Sequence, residues 1–257
     1  MNLMKSKRLR YIIVVLAIIV IVLLSNLMLN NMKVRNIDIQ IEYPSKDQVL
    51  DKTKLQQQLT LHFGNLTQLK RKEIHTQLIQ QYLQQQNFVS HAHVSVTIGG
   101  ILKILVQQSL PVIRIFDTKG HTYYIDDELN ILQLNTERCT NTIIATTPYL
   151  PTNPTKIDSI KDRNLYLLYQ LATLINQDSI LKYQISQIYQ NKNSLILVPQ
   201  IGSHTITLSS QPPWDTQLHK LSALYQQAFL YNGWDNYSNL NPQPYNQVVC
   251  TKKTIEQ

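Results

Sequence analysis

Apolar positions dominate one continuous stretch near the start of the chain. No charged residue lies between Arg10 and Lys33, and Ile, Val and Leu fill most positions from Tyr11 to Leu29. A helix of about 20 apolar residues matches the hydrocarbon thickness of a bilayer. The pattern therefore predicts a transmembrane helix over residues 11–32. The alternative, a cleaved signal peptide, is disfavoured because the apolar run is long and no small-residue cleavage pattern follows it.

The charges that flank this stretch predict its orientation. Residues 1–10 contain no acidic side chain, and only Lys33 and Arg35 follow closely after the apolar run. Cytoplasmic flanks of membrane helices are enriched in Lys and Arg. We therefore expect residues 1–10 to be a cytoplasmic tail and the bulk of the chain to lie outside the cytoplasm. The basic residues of the tail are Lys5, Lys7, Arg8 and Arg10.

Residues 33–109 show first a strand pattern and then two helix patterns. Ile37, Ile39 and Ile41 occupy every second position, which is typical of a half-buried strand. Apolar residues at spacings of three and four then predict one helix that begins at Asp51 and stops at Gly64, and a second over residues 70–86.

Two more strands are predicted on either side of a Gly-Gly pair. They cover residues 91–98 and 101–106, and Gly99 and Gly100 favour a hairpin turn in which both residues have positive φ. The resulting strand, helix, helix, strand, strand order predicts a small domain in which both helices cover one face of a three-stranded sheet.

From residue 110 to residue 257 short strand patterns predominate, interrupted by two helix patterns. Leu165 and Ile175 belong to the first helix, and the second is expected to run from Asp215, as its N-cap, to Gly233. We therefore expect an α+β fold with a transmembrane helix, a β-α-α-β-β domain and a mixed β-rich domain with two helices. The strands of this last domain are predicted over residues 112–116, 122–126, 131–135, 142–146, 183–189, 195–201, 204–209 and 246–251.

The net charge of +8 arises from 24 Lys and Arg against 16 Asp and Glu. Four of these basic residues lie in the tail, which leaves 20 against 16 in the rest of the chain. The remaining charges are scattered, whereas phosphate binding needs a basic patch. The sequence therefore argues against nucleic-acid binding.

No catalytic or metal-binding constellation is evident in the sequence. Phosphate-loop and nucleophile-elbow motifs are missing. His91 and His93 point the same way on a strand, but their face also carries Ser95 and Thr97, and no third ligand is identifiable. The acidic residues 126–128 are typical of a turn. We therefore expect no enzyme activity, no cofactor and no metal.

Cys139 and Cys250 are the only cysteines. An oxidising compartment would permit a bond between them, yet one pair is not the disulfide framework of a small secreted fold. The simpler expectation is two buried thiols.

The last predicted strand, residues 246–251, is a candidate binding edge. It has a short apolar centre and nothing substantial after it to pair with. An edge strand presents free N–H and C=O groups to another chain. The alternative is an ordinary edge protected by Lys252 and Lys253. If the strand binds a partner, Val249→Pro is expected to weaken that binding without unfolding the domain.

Several segments together resemble a known family. They are PVIRIF at residues 111–116, YYID at residues 123–126, NGWDNY at residues 232–237 and QVVCTK at residues 247–252. With the basic tail, the apolar anchor and the β-α-α-β-β unit, they make the chain resemble the bacterial cell division family FtsQ/DivIB over nearly its whole length. The resemblance implies that residues 33–109 form a POTRA domain and residues 110–257 the C-terminal β domain.

The resemblance also implies a function. Members of this family are non-catalytic scaffolds of the divisome that bind the single-pass coiled-coil proteins FtsB and FtsL and help to control septal peptidoglycan synthesis. They lie in the inner membrane with most of the chain in the periplasm, and are enriched at the septum. The final strands receive an FtsB segment as an added strand. On this chain the implied partner-binding residues are Tyr237, Tyr245, Asn246, Gln247, Val248, Val249, Cys250, Thr251 and Lys252.

Two other classes of function stay open at this point. A POTRA domain also occurs in factors that assemble the bacterial envelope. An anchored extracytoplasmic enzyme or cell-wall sensor is the other alternative, and it would need a pocket lined by converging polar groups.

Overall fold

A computed structural model of the chain describes residues 2–134, 138–191, 193–227 and 234–253. It divides into two units, the first ending at Gln108 and the second beginning at Ser109. Both units combine helices with a β-sheet, as the α+β expectation requires. The predicted domain boundary at residues 109 and 110 stays a prediction.

The chain begins with a long helix, α1, which spans Asn2–Asn31. Its segment Ile13–Asn31 has a mean hydropathy of 2.8. Within the described residues, this is the one helix whose length and composition would allow it to cross a membrane. Its large apolar side chains from Ile13 to Leu24 are exposed, which is expected of a helix that packs against lipid.

The first unit contains a three-stranded sheet in the order β1-β3-β2. β1 is parallel to the central strand β3, and β2 is antiparallel to it. The two helices lie between β1 and β2 in the chain, so the element order is the strand, helix, helix, strand, strand order expected from the pattern. The elements are β1 (Asn36–Glu42), α2 (Lys52–Phe63), α3 (Thr76–Gln84), β2 (Val89–Val96) and β3 (Ile101–Gln108). Its assignment as a POTRA domain stays a prediction.

The signals at both ends of α2 act as the sequence predicts. The Asp51 carboxylate accepts hydrogen bonds from the backbone N–H groups of Thr53 at 2.8 Å and Lys54 at 3.3 Å, which caps the first turn. Gly64 follows the last turn with φ of 73°. Leu55 and Leu59 are buried on one face, as their spacing indicated.

The predicted helix over residues 70–86 is too long. Only Thr76–Gln84 is α-helical, and short 3₁₀ turns at Leu66–Gln68 and Arg71–Glu73 precede it. The cause is long-range, because Arg71 N–H donates to the carbonyl of Met32 at 2.9 Å. Lys70 forms a β-bridge with Lys33 and has an extended backbone, and Ile74 is extended as well, so an α-helix cannot run through these positions.

The β2–β3 hairpin is confirmed, but its turn differs from the prediction. The Thr97 N–H donates to Ile101 O at 2.9 Å, and the Gly100 N–H donates to Thr97 O at 3.1 Å. Gly100 has φ of 77°, whereas Gly99 does not have positive φ. A Cβ on Gly100 would lie 2.9 Å from the Lys33 carbonyl oxygen, so glycine is needed there for a close approach.

The second unit is built on a nine-stranded sheet in the order β12-β11-β10-β9-β8-β7-β4-β5-β6. β7 is parallel to both β4 and β8, β11 is parallel to β10, and the other neighbours are antiparallel. The strands are β4 (Pro111–Asp117), β5 (Thr122–Asp126), β6 (Ile131–Gln133), β7 (Ile143–Thr147), β8 (Ile185–Gln190), β9 (Ser194–Pro199), β10 (Thr205–Ser209), β11 (Tyr237–Asn241) and β12 (Val249–Lys252). The helices are α4 (Arg163–Gln177), α5 (Leu181–Gln184) and α6 (Asp215–Gln227).

The core of this unit lies between the sheet and its two longer helices. Leu168 and Leu171 of α4 and Leu221 of α6 are fully buried, in one cluster with Ile113 of β4 and Leu197 of β9.

Several predicted boundaries in this unit shift. The predicted strand over residues 183–189 begins only at Ile185, because Tyr183 belongs to the one-turn helix α5. α6 starts at Asp215 itself. The predicted strand over residues 131–135 is shorter than expected, because β6 ends at Gln133 and Leu134 is not in a strand. The expected end of α6 at Gly233 lies outside the described residues.

Candidate functional site

The edge strand β12 contains four of the nine predicted partner-binding positions, Val249, Cys250, Thr251 and Lys252. It pairs antiparallel with β11, with Cys250 opposite Leu240 and Val249 opposite Asn241. Among the residues that the structure describes, no segment pairs with the other side of β12. Free N–H and C=O groups on that side can accept a strand from another chain.

The side chains of this region divide into an inward and an outward set. Tyr237, Val248 and Cys250 pack against the hydrophobic core of the unit. Burial accordingly raises the pKa of the Cys250 thiol. Val249 is 46% exposed, and Thr251 is also exposed. The buried face of the last strand, which the sequence could not identify, is therefore the Cys250 face.

Two hydrogen bonds show which backbone groups of β12 point outward. The N–H of Lys253 donates to Asn236 O at 3.1 Å, and the Ser238 hydroxyl donates to Thr251 O at 3.3 Å. Backbone groups of alternate residues in a strand face opposite sides. Because positions 253 and 251 face β11, Cys250 and Lys252 direct their N–H and C=O groups outward.

This direction changes the expected effect of Val249→Pro. Val249 lies two residues before Thr251 on the same strand, so its N–H also faces β11. A proline there would break the β11–β12 pairing and would not selectively remove an outward donor. Lys252, which is exposed, is the better position for that test.

The strand also begins later than predicted. β12 starts at Val249, and residues 245–248 form the approach to it instead of pairing. Asn246 has φ of 57°, which interrupts an extended backbone. Tyr245 is 88% exposed there. The predicted residues thus form a paired strand preceded by a turn.

Lys220 of α6 holds this turn in place. Its ammonium donates to the carbonyls of Pro244 at 2.6 Å and Gln247 at 3.3 Å. The Gln243 side-chain amide donates to Thr207 O on β10 at 3.2 Å. The sequence pattern did not identify these two residues. Lys220 is far from β12 along the chain, and the contact of Gln243 is with β10, which is also distant in sequence.

Polar contacts fix the other end of β12. The ammonium of Lys253 contacts the hydroxyl of Ser203, which donates to Asp235 Oδ1 at 3.0 Å. The neighbouring His204 is buried, with Nε2 2.8 Å from the Tyr225 hydroxyl, and burial lowers the pKa of this histidine. These residues come from separate parts of the chain, so no spacing in the sequence marks them.

Lysines outnumber carboxylates at this edge, where Asp235 accepts the hydrogen bond from Ser203. The strand sequences YSNLN and VCTK contain no acidic residue. Lys252 and Lys253 are both exposed at the end of β12, and Lys220 lies at its start. An incoming strand with acidic side chains would therefore meet complementary charge.

The opposite edge of the sheet is covered. Ile131 N–H of β6 donates to Thr155 O at 2.8 Å, and Ile157 N–H donates to Leu129 O at 2.9 Å. Residues 155–157, which make both contacts, form what we call the covering segment. The covering segment thus forms hydrogen bonds with outward backbone groups at the β6 edge. The corresponding outward groups of β12 have no such cover among the described residues.

The buried Asp162 carboxylate stabilises the loop that contains the covering segment. It accepts hydrogen bonds from Thr152 N at 2.7 Å and from Asp158 N at 2.9 Å. Thr152 precedes the covering segment in the chain, and Asp158 follows it. Asp162 is 5% exposed. Its position directly before α4 connects the covering segment to the helical core.

The other candidate groups do not assemble into a site. His91 and His93 are exposed on β2 in the first unit, and no cluster of three or more metal-ligating side chains occurs in the described ranges. The Asp126 carboxylate instead organises a turn, accepting from the N–H groups of Glu128 at 3.0 Å and Asn130 at 2.7 Å.

The two cysteines are unpaired. Cys139 is exposed and Cys250 is partly buried. The expectation of two buried thiols is therefore wrong at Cys139, which lies in irregular structure before β7.

A polar cavity of about 450 Å³ lies beside the starts of β7 and β8. Its lining includes Asn141, Asn176, Lys182 and Gln187. The described lining contains no carboxylate, histidine or cysteine. Its titratable side chains are those of the neighbouring residues Lys182 and Tyr183.

Comparison with known families gives a match to the second unit. A family model described as "FtsQ/DivIB, C-terminal related" matches residues 110–251, which is more than half of the 257-residue chain. The match begins one residue before β4 and includes all of β12 except its last residue. No curated protein matches the chain.

Proposed function

The chain belongs to the FtsQ/DivIB family of bacterial cell division proteins, and from this premise we propose that it is a membrane-anchored, non-catalytic divisome scaffold. Its partners are single-pass coiled-coil proteins of the FtsB and FtsL type. Through them and other divisome proteins it helps to control septal peptidoglycan synthesis. The apolar helix α1 anchors it in the inner membrane.

The observation that carries this proposal is the unpaired outer side of β12. Cys250 and Lys252 present outward N–H and C=O groups, and no described segment of the chain pairs with them. An extended partner segment would add there as the next strand, with main-chain hydrogen bonds providing affinity. Tyr245 and Val249 are exposed beside this path and supply apolar contact area.

Charge and anchoring give the partner further properties. The basic side chains at both ends of β12 favour an acidic partner segment. A partner held in the same membrane would reach the edge at a high effective concentration. The basic tail orients α1 with its N-terminus in the cytoplasm, so both units lie in the periplasm, and recruitment to the septum follows from the divisome partners. We also assign the first unit as the POTRA domain of this family.

Lys252→Pro tests the strand-addition site. The substitution removes one outward N–H and leaves the inward hydrogen bonds of β12 in place. We expect about a tenfold loss of affinity for the FtsB/FtsL-type pair, since one main-chain hydrogen bond is lost and its acceptor is left without a donor. Affinity is measured by titrating the purified pair against the full chain in nanodiscs.

Lys252→Ala is the matched control, because it removes the same charge and keeps the N–H. Its affinity should fall much less than that of Lys252→Pro. Equal affinities of wild type and the proline variant, with both folded by thermal melting, would refute strand addition at β12.

A cellular experiment tests the division role separately. Depletion of the protein should produce filaments, and a fluorescent fusion should concentrate at midcell. Normal septation together with a general envelope defect would instead favour the envelope-assembly class.

A further inference from the structure

The segment that follows α1 is held directly against the first unit. Met32, one residue after the last helical position, accepts a hydrogen bond from Arg71 N at 2.9 Å. Val34 N–H donates to Leu69 O at 3.0 Å, and Lys33 forms a β-bridge between these two contacts. We call these interactions of residues 32–35 the clasp.

The tip of the β2–β3 hairpin completes the clasp. Arg35 N–H donates to Gly100 O at 2.7 Å, and the absence of a side chain on Gly100 leaves room for the Lys33 carbonyl oxygen beside it. Ile98, at the same tip, is 74% exposed. The hairpin tip and the 3₁₀ turns therefore lie immediately beside the end of α1.

The clasp gathers basic side chains from separate parts of the sequence. Segments 32–35 and 69–73 contribute one acidic residue, Glu73, whose carboxylate accepts from Lys70 N at 2.8 Å. The basic residues are Lys33, Arg35, Lys70, Arg71 and Lys72, and all of them are exposed or partly exposed. The result is a cationic surface with an exposed aliphatic side chain, a composition typical of membrane-interface contacts.

We propose that this surface, which we call the clasp surface, binds the headgroups of anionic phospholipids at the C-terminal end of α1. Lys and Arg side chains pair with lipid phosphates, and Ile98 enters the boundary between headgroups and acyl chains. The end of the anchor places these residues at headgroup height. The inference rests on membrane insertion of α1, which the proposed function also needs.

Tryptophan quenching tests the contact in the full chain. Ile98→Trp is reconstituted in nanodiscs of dibrominated phosphatidylcholine with and without phosphatidylglycerol. Bromine on the acyl chains quenches a tryptophan that reaches their boundary. We expect about a twofold drop in the emission of the added tryptophan when phosphatidylglycerol is present, because an interfacial side chain sits about 5–10 Å into the boundary.

Gln84→Trp is the matched control. Gln84 is exposed at the end of α3, and β2 starts five residues later and runs back to the hairpin tip over its eight residues. At about 3.3 Å per residue, this strand separates Gln84 from the clasp surface by roughly 20 Å. Its emission should not change with lipid charge. Both variants share the background of Trp214 and Trp234.

Neutralising the clasp surface should remove the effect of anionic lipid. In the Ile98→Trp background, Lys70→Gln/Arg71→Gln/Lys72→Gln should abolish the additional quenching by phosphatidylglycerol. The matched control is the triple variant Lys46→Gln/Lys52→Gln/Lys54→Gln, which removes the same amount of charge. These lysines follow the C-terminal end of β1, away from the clasp surface, so the quenching should stay intact.

Three results would overturn the inference, and each has its own meaning. Quenching equal with and without phosphatidylglycerol would exclude recognition of lipid charge. In a second outcome, the Ile98→Trp chain inserts but its added tryptophan is not quenched in any of the brominated nanodiscs. This would show that the clasp surface faces solvent or an acidic protein. A chain that fails to enter nanodiscs at all would refute the anchor, and with it the proposed function.

Discussion

The nine-stranded sheet ends in β6 on one side and β12 on the other, and these two edges meet their surroundings differently. At β6, the covering segment exchanges two hydrogen bonds with Leu129 and Ile131. At β12, the described residues contribute no comparable cover. Proteins usually blunt exposed sheet edges, since an open edge invites pairing with other chains.

The comparison shows that this fold protects its β6 edge, whereas no described segment protects β12. The protection at β6 uses a loop that Asp162 connects to α4. The β12 edge is also held at both ends, because Lys220 and Lys253 form hydrogen bonds there, but these contacts do not use the outward backbone groups of Cys250 and Lys252. An edge whose ends are already held in position loses less conformational entropy when a strand is added.

Removing a buried side chain under the open edge should have the largest effect. Leu240 of β11 is fully buried opposite Cys250, so Leu240→Ala is expected to cost about 2–5 kcal/mol of unfolding free energy. Because it loosens the strand on which β12 rests, it should also abolish partner binding. Chemical denaturation and binding titrations measure the two effects.

Leu132→Ala on the covered edge is the matched comparison. Leu132 is 6% exposed on β6, and its truncation should cost a similar amount of stability. Partner affinity should stay at the wild-type value. If both variants lose binding equally, partner binding depends on overall stability and not on the β12 edge.

Uncovering β6 should have an intermediate effect. Asp162→Ala removes the buried acceptor that serves Thr152 and Asp158, at a cost of about 1.5–3 kcal/mol. The loop should then release the covering segment, so that the Ile131 amide exchanges faster with deuterium. Asp235→Ala, a carboxylate at the open edge, should not change exchange at Ile131. Unchanged exchange in Asp162→Ala would show that the covering segment does not need this anchor.

Acid should have the smallest effect and should act on the covered edge. Hydrogen bonds from Lys161 N and Ile160 N lower the pKa of Asp158 below its ordinary 3.8. A lowered folded-state pKa gives stability that is present above 3.8 and is lost as the pH falls through the folded value. Protection of the Lys161 amide against hydrogen exchange should therefore decrease as the pH falls below 3.8.

The open edge supplies the control for this acid effect. β11 and β12 contain no carboxylate, so protection at Leu240 should stay constant over the same range. Asp126 should behave oppositely to Asp158, because burial raises its pKa and its contribution to stability is greatest at low pH. Equal acid losses at Leu240 and Lys161 would indicate global unfolding.

Local patterns predicted much of the fold. The four-residue spacing and the terminal Asp51 and Gly64 were sufficient to place α2, since its caps use neighbouring residues. The same reasoning extended the next helix too far, because Lys70 is held in an extended conformation by its β-bridge to the distant residue Lys33. Strand alternation likewise contained no information that β7 would insert between β4 and β8.

The candidate site was predictable only as a segment. Apolar character marked residues 248–250, but the direction of their backbone groups depends on the pairing with β11. The turn at Asn246 and the support from Lys220 are also tertiary features. For this reason the sequence indicated the strand, whereas the choice of Lys252 for the proline test required the structure.

The clasp at residues 32–35 has a mechanical consequence. It leaves no free spacer between the end of α1 and the first unit. With α1 in the membrane as proposed, this unit cannot move away from the bilayer as a tethered domain would. Its encounters are confined to a thin layer and occur by lateral diffusion in two dimensions. Molecules that share this layer are met often, whereas soluble molecules deeper in the compartment reach the unit only by approaching the lipid surface.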